Sequence, residues 1–177
     1  MVIGKSEAAI TAPSEERLQR LDAHFHGLIS ILHQRLEDLL AGPGFTASAK
    51  PRGLKGKCAV YLFSDGPVPF YVGRTKNLEQ RIGNHCNEGS QPNQSSIAFK
   101  LACADLKIER EKYAKGQGWK DLMTTYSDLA SAFSERKRQM GKMQIRYVEE
   151  TDPVRQALLE IYCAAALNTP HNDFDTH

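Results

Sequence analysis

Glu160 stands alone in an apolar run. From Ala157 to Leu167 the chain reads Ala-Leu-Leu-Glu-Ile-Tyr-Cys-Ala-Ala-Ala-Leu, so one carboxylate sits on a helix that is apolar nearly all round. Burying an unpaired carboxylate is costly, so it needs an arginine, a metal ion or a place at a cleft mouth. A hard divalent ion held by one carboxylate, water and substrate phosphate meets that need, and so does a structural Glu–Arg pair. Tyr61 and Tyr71 lie ten positions apart on either side of a turn signal; by default they are sheet-packing aromatics with hydroxyls at the rim. Gly73-Arg74-Thr75-Lys76-Asn77 follows, bringing backbone amides, two cations and a helix start together, a combination that favours a phosphate. Arg81 and His85, four apart, share one helix face.

The elements that must position these residues follow from periodicity. Residues 1–13 show no period and read as a loose leader. Leu18, Leu21, Phe25, Leu28, Leu32, Leu36 and Leu39 then make the stripe of one amphipathic helix, capped by Ser14 and ended by Gly42-Pro43-Gly44. Its near-heptad spacing suits a homodimer seam as well as docking on its own domain, the commoner outcome. After a basic linker, Lys57 to Phe63 reads as a strand, Ser64-Asp65-Gly66-Pro67 as a turn, and Phe70 to Gly73 as the returning strand. Asn77 with Gln80 opens a short helix. Residues 95–142 read as helical with a break at Gly116-Gln117-Gly118; Met143, Ile145 and Tyr147 alternate as a third strand; Asp152 and Pro153 start a helix to about Leu167. The expected fold is α+β: a small, mainly antiparallel three-stranded sheet flanked by helices, with an N-terminal segment at 1–49 and the main domain at 50–177 carrying a helical insertion at about 90–142.

The 177-residue length suits one core, and no apolar run approaches the roughly 20 residues a membrane helix needs. Lys5, Glu7 and the Ser14–Arg17 stretch interrupt any signal-peptide core, so a cytoplasmic location is expected. Cys58, Cys86, Cys103 and Cys163 show no metal-ligand spacing and read as reduced, partly buried thiols. The net charge of +2 conceals a division: residues 50–147 carry +9 and residues 148–177 carry −5. A basic middle suits a phosphate backbone, and an acidic end suits a cation.

Ala59-Val60-Tyr61, Tyr71-Val72-Gly73, Arg81, His85, Glu160 and Asn172, in that order and spacing, resemble the GIY-YIG endonuclease superfamily over roughly residues 57–90 and 143–175. The first glycine is Ala59 here, and the insertion is larger than in a minimal module. That insertion, with Arg81-Ile82-Gly83-Asn84-His85, is most similar to the compact type II restriction enzymes of the superfamily.

The resemblance implies an endonuclease that hydrolyses DNA, double-stranded for a restriction enzyme, with one Mg²⁺ or Mn²⁺. Glu160 would hold the metal and Arg81 would clamp the scissile phosphate. Tyr61 or Tyr71, with Tyr61 the first candidate, would take the proton of the attacking water. His85 would orient or relay that proton, bond a phosphate oxygen or simply be a satisfied helix histidine. Asn172 would position phosphate or brace the Glu160 end of the site. Arg74 and Lys76 would bind phosphate, and Arg74 would help to lower the tyrosine pKa. The basic residues of the insertion, Lys137 among them, would contact phosphate or solvent. The rivals are a structure-selective repair or mobile-element nicking enzyme and a module that binds nucleic acid without cutting.

Overall fold

The computed structural model describes residues 15–109, 116, 118–172 and 174, with side chains from 22 onward. The leader, the Ser14 cap, the side chains of Leu18 and Leu21, and Arg110, Lys112, Lys115 and Gln117 of the insertion lie outside the described residues. Helices α1 (Glu15–Ile29) and α2 (Leu32–Ala41) precede a hairpin of β1 (Ala59–Asp65) and β2 (Val68–Thr75). Then come α3 (Leu78–Cys86), α4 (Ser96–Asp105), α5 (Trp119–Thr125), α6 (Leu129–Lys142), β3 (Gln144–Glu149) and α7 (Pro153–Ala166).

The expected single N-terminal helix is two. The chain breaks at Ser30-Ile31, where a weak helix former is flanked by β-branched Ile29 and Ile31. The stripe divides with it: Leu32, Leu36 and Leu39 are buried, whereas Phe25 is 53% exposed. α2 docks on β3 and α7 of its own chain. Both hairpin strands run closer to the turn than expected, because only Gly66-Pro67 separates the paired Asp65 and Val68. Gly66 sits at φ +56°, which suits the first position of a two-residue hairpin turn.

The sheet is antiparallel throughout, in the order β2-β1-β3. Alternation along the strands sends Tyr61, Phe63 and Ile145 to one face, where they join Leu78, Ile82, Phe99, Leu129, Phe133 and Met140. It sends Val60, Leu62, Val72 and Val148 to the other, against Leu36, Leu39, Leu159 and Cys163. Helices therefore cover both faces, and the inserted helices α4 and α6 supply much of one core.

Both sheet edges are occupied where they matter. Phe45 exchanges backbone hydrogen bonds with Ile145 of β3, at 3.0 and 2.7 Å. The Asn172 side chain does the same for β2: its Oδ1 accepts from Val72 N at 2.9 Å and its Nδ2 donates to Val72 O at 2.8 Å.

Asn77 caps α3 by accepting from Gln80 N, and Asp152 caps α7 by accepting from Val154 N and Arg155 N. Just before α7, Glu150 is 2% exposed. Its carboxylate accepts from Arg155 Nε at 2.7 Å and Nη2 at 3.0 Å and from Asp152 N at 3.0 Å, with Arg35 of α2 at 3.8 Å. Burial pushes this carboxyl up, but the Arg155 guanidinium and the Asp152 amide outweigh it and hold the group below the usual range. Arg155→Met should lower the unfolding free energy at pH 7 by about 3 kcal/mol, because it leaves a buried charge with only the Asp152 amide and the more distant Arg35. Urea denaturation followed by circular dichroism checks this, and the deficit should shrink on acidification as Glu150 protonates.

Candidate active site

The site is built around a phenol with no exposed surface. Tyr61, at the centre of β1, is 0% exposed and faces Gly73 across the hairpin. A Cβ on residue 73 would overlap the Tyr61 hydroxyl and ring carbon Cζ, so the ring occupies the space that only glycine leaves open. At the corresponding position of the first motif, the Ala59 methyl is accommodated within the core.

Desolvation requires partners for the Tyr61 hydroxyl, and α3 provides both. Arg81 Nε donates to it at 3.0 Å, and His85 Nε2 lies 2.9 Å away. His85 is fully buried among rings, with centroids 5.5 Å from Phe63, 5.8 Å from Tyr61 and 5.9 Å from Tyr71. Burial, helped by the Arg81 charge, pushes its pKa down to about 3, so the ring is neutral at ordinary pH. Its Nδ1 has no partner among the described residues. The tautomer therefore decides where the Tyr61 proton goes. With Nε2 protonated, Tyr61 oxygen accepts from both Arg81 and His85 and its O–H can turn to Tyr71, whose pKa a hydrogen bond from Tyr61 pulls down; otherwise the O–H is committed to His85.

Arg81 is held at a second point, where Nη1 donates to the Gln94 carbonyl at 3.1 Å. Tyr71 lies opposite Phe63 on the same sheet face as Tyr61, with ring centroids 6.4 Å apart, and it is only partly buried. Burial raises the pKa of both phenols; the Arg81 charge acts in the opposite direction on each, and Glu160 adds to the rise.

Glu160 sits on α7, across the sheet from Tyr61. Arg74 Nε donates to its Oε2 at 2.9 Å; the Glu160 side chain is 20% exposed and the Arg74 side chain 47%. Burial pushes the Glu160 carboxyl above the usual range, against the pull of Arg74 and, more weakly, Arg81. The fields of Glu160 and the Tyr61–Tyr71–Arg81 group thus meet at the β2 edge. Asn172 is a brace: both ends of its amide bond Val72, between Tyr71 and Gly73, and Thr169 Oγ1 donates to its Oδ1 at 2.9 Å. Lys76 is exposed immediately before the α3 cap.

Two contributors escape the sequence reading. The Gln94 carbonyl belongs to a loop and has no sequence signature. Lys137 is 1% exposed and does not face solvent or phosphate as its place in Arg136-Lys137-Arg138 suggests. The signal for its burial lies in spacing, since Leu129, Phe133, Lys137 and Met140 fall on one face of α6.

The GIY-YIG catalytic domain model matches residues 57–169, most of the chain. The chain belongs to the GIY-YIG family. No curated protein and no solved structure matches it. The GIY-YIG domain is a nuclease domain, and its two name-giving tripeptides are here Ala59-Val60-Tyr61 on β1 and Tyr71-Val72-Gly73 on β2. The match starts just before β1, so α1 and α2 precede it, and it takes in all of α3 to α7.

For the divalent ion that the GIY-YIG resemblance implies, the donor set is one carboxylate. Among the described residues no group of three or more His, Cys, Asp or Glu could hold a metal. Glu160, partly buried and carrying a single arginine partner, fits an ion that takes most of its shell from water and phosphate, as Mg²⁺ does. No helix among the described residues is long and apolar enough to cross a membrane.

Gly73→Ala should cost about 2–3 kcal/mol in urea denaturation, because the buried Tyr61 ring has nowhere to shift; the loss should be smaller in a Tyr61→Ala background. The buried neutral His85 sets an acid limit. Its folded pKa of about 3 lies below the ordinary 6.5, so its contribution is complete above pH 6.5 and is lost as pH falls towards 3. That amounts to stability on the order of 5 kcal/mol. In stability–pH curves, His85→Gln should flatten this part of the acid dependence.

Proposed function

We propose that this GIY-YIG chain is a divalent-metal-dependent DNA endonuclease of the restriction type, cutting double-stranded DNA at a specific sequence. The observation that carries the hydrolytic reading is the group of two phenols and one guanidinium on one side of β2, within electrostatic reach of the single carboxylate on the other. The helical insertion and the Arg81–His85 segment support the restriction assignment by their similarity to that subgroup.

The residues divide the work according to their access. Tyr61 is sealed from solvent, and its hydroxyl anchors Arg81. Tyr71 is the phenol with exposed surface, so it is the one placed to accept a proton from an attacking water. Arg81 lowers the cost of that step by opposing the rise in the Tyr71 pKa. Held at Nε by Tyr61 and at Nη1 by Gln94, the guanidinium is preorganised to meet charge developing on a phosphate. His85, kept neutral, fixes the Tyr61 hydroxyl rather than carrying charge. Glu160 would hold Mg²⁺ or Mn²⁺, which when bound supplies Lewis-acid stabilisation of the phosphate and leaving oxygen. Arg74, half-exposed on Glu160, is free to exchange that carboxylate for a phosphate oxygen, with Lys76 beside the α3 N-terminus adding attraction. Asn172 keeps the β2 backbone in place. One such site cuts both strands either by binding twice or as a homodimer, for which Phe25 and Ile29 leave apolar surface on α1.

The test is incubation with supercoiled plasmid in Mg²⁺ or EDTA, with Glu160→Gln in parallel. Discrete metal-dependent fragments are expected. Glu160→Gln should reduce cleavage by about 10³-fold while DNA binding changes by less than about threefold. Cutting confined to branches or flaps would instead indicate a structure-selective enzyme, and salt-sensitive binding without any cutting a non-catalytic module.

A further inference from the structure

Lys137 is almost sealed from solvent at the floor of a hollow and bonds no carboxylate, although the Glu88 charge acts on it from a distance. Its Nζ donates to two carbonyls, Glu88 O at 2.5 Å and Ser90 O at 3.1 Å, and lies 4.4 Å from the centroid of the Phe133 ring. Neither carbonyl brings a full countercharge. Burial outweighs the favourable Glu88 charge and lowers the Lys137 pKa, so an apolar side chain of similar length would fill the same place on the α6 stripe at lower desolvation cost. What the ammonium adds is capture of the backbone at Glu88 and Ser90.

That backbone leads to Arg81. The segment 87–94 is knit to itself: Ser90 N and Oγ donate to Asn87 O at 3.2 and 2.7 Å, Gln94 N donates to Gln91 O at 2.9 Å, and Gln91 N donates to the Gln94 side chain at 2.8 Å. These bonds make two consecutive turns, 87–90 and 91–94, of which Lys137 holds the first and Ser95 Oγ, 3.4 Å from His85 O, steadies the end of the second, where the Gln94 carbonyl meets Arg81. Between Glu88–Pro92 and the residues Trp119, Met123 and Phe133 there is an open hollow of about 290 Å³. Over part of its length the segment therefore stands off from α5 and α6, and Lys137 bridges the gap.

We propose that Lys137 is a positioning residue for Arg81: by clamping Glu88 and Ser90 to α6, it holds the Gln94 carbonyl where it orients the Arg81 guanidinium. The inserted helix α6 thereby reaches the site through the backbone without touching substrate. This role deepens the nuclease reading and rests on it for its catalytic consequence, but the clamp itself has a readout that needs no cleavage.

The Arg81 Nε–H gives a ¹H–¹⁵N resonance that can be assigned by its loss in Arg81→Lys. In Lys137→Met, this signal should shift and its exchange with solvent should quicken by about tenfold or more, while the far-ultraviolet circular dichroism spectrum stays the same. Lys137→Arg, which keeps donors for both carbonyls, should restore the signal. Single-turnover plasmid cleavage should fall by about ten- to a hundredfold in Lys137→Met with DNA affinity nearly unchanged, because a displaced Arg81 is lost to the reaction step rather than to binding. An Arg81 signal with unchanged position and exchange in a folded Lys137→Met protein overturns the proposal, whether or not the protein cuts DNA. If the Met variant does not fold, Lys137→Leu, which likewise has no donor, takes its place, and an unchanged Arg81 signal there overturns it equally. A moved Arg81 signal in a protein without nuclease activity upholds the clamp and refutes only the nuclease reading.

Discussion

The pairing of Tyr61 with Gly73 is the constraint on which the rest of the site depends. A full phenol can lie flat over the neighbouring strand only where that strand has no Cβ, and the hairpin register brings that position to the right place. Once the ring is buried its hydroxyl needs partners, and the short helix that follows β2 provides Arg81 and His85. A one-residue slip would send Tyr61 to the α7 face and leave the hydroxyl among aliphatic side chains. The two-residue turn, the Asn77 cap and the Asn172 brace all act to keep that register and the start of α3 in place.

The buried polar groups separate by how they are compensated. Glu150 and Glu160 lie ten residues apart at opposite ends of one stretch, yet their carboxyls shift in opposite directions. Glu150 has two bonds from Arg155 and one from a backbone amide, which stabilise its charge and tie β3 to α7. Glu160 has a single partner on a half-exposed arginine, too little to offset its burial. A group left partly uncompensated at an accessible edge can take up another cation, whereas a fully compensated one only holds the fold together. His85 avoids the problem by remaining neutral, and Tyr61 by staying protonated.

The insertion between β2 and β3 is part of the structural body of the domain. Phe99, Leu129, Phe133 and Met140 form the side of the core that backs Tyr61 and Phe63. Its basic residues are accordingly divided. Arg136 is paired with Asp105, Lys137 is buried, and Lys120 and Lys142 remain exposed. Charge counted along the chain therefore overstates the positive surface available to a nucleic acid.

Local sequence determined the hairpin, the helix caps at Asn77 and Asp152, the third strand, the α+β class and the family, because each rests on residue type and short-range spacing. Those same signals marked Tyr61, Tyr71, Arg81, His85 and Glu160 as residues of interest, since a lone carboxylate in an apolar helix and an i,i+4 Arg–His pair can be read without coordinates. Tertiary structure decided what each one does. Burial separates the sealed Tyr61 from the accessible Tyr71, and only the packed sheet sets that burial. Asn172 is a backbone brace because the chain returns to the β2 edge a hundred residues later. The break between α1 and α2, the inward turn of Lys137 and the Gln94 carbonyl on Arg81 were likewise settled by packing. Hydrogen-bond partners and desolvation depend on what folds against a residue, and spacing along a chain records only which face it shares.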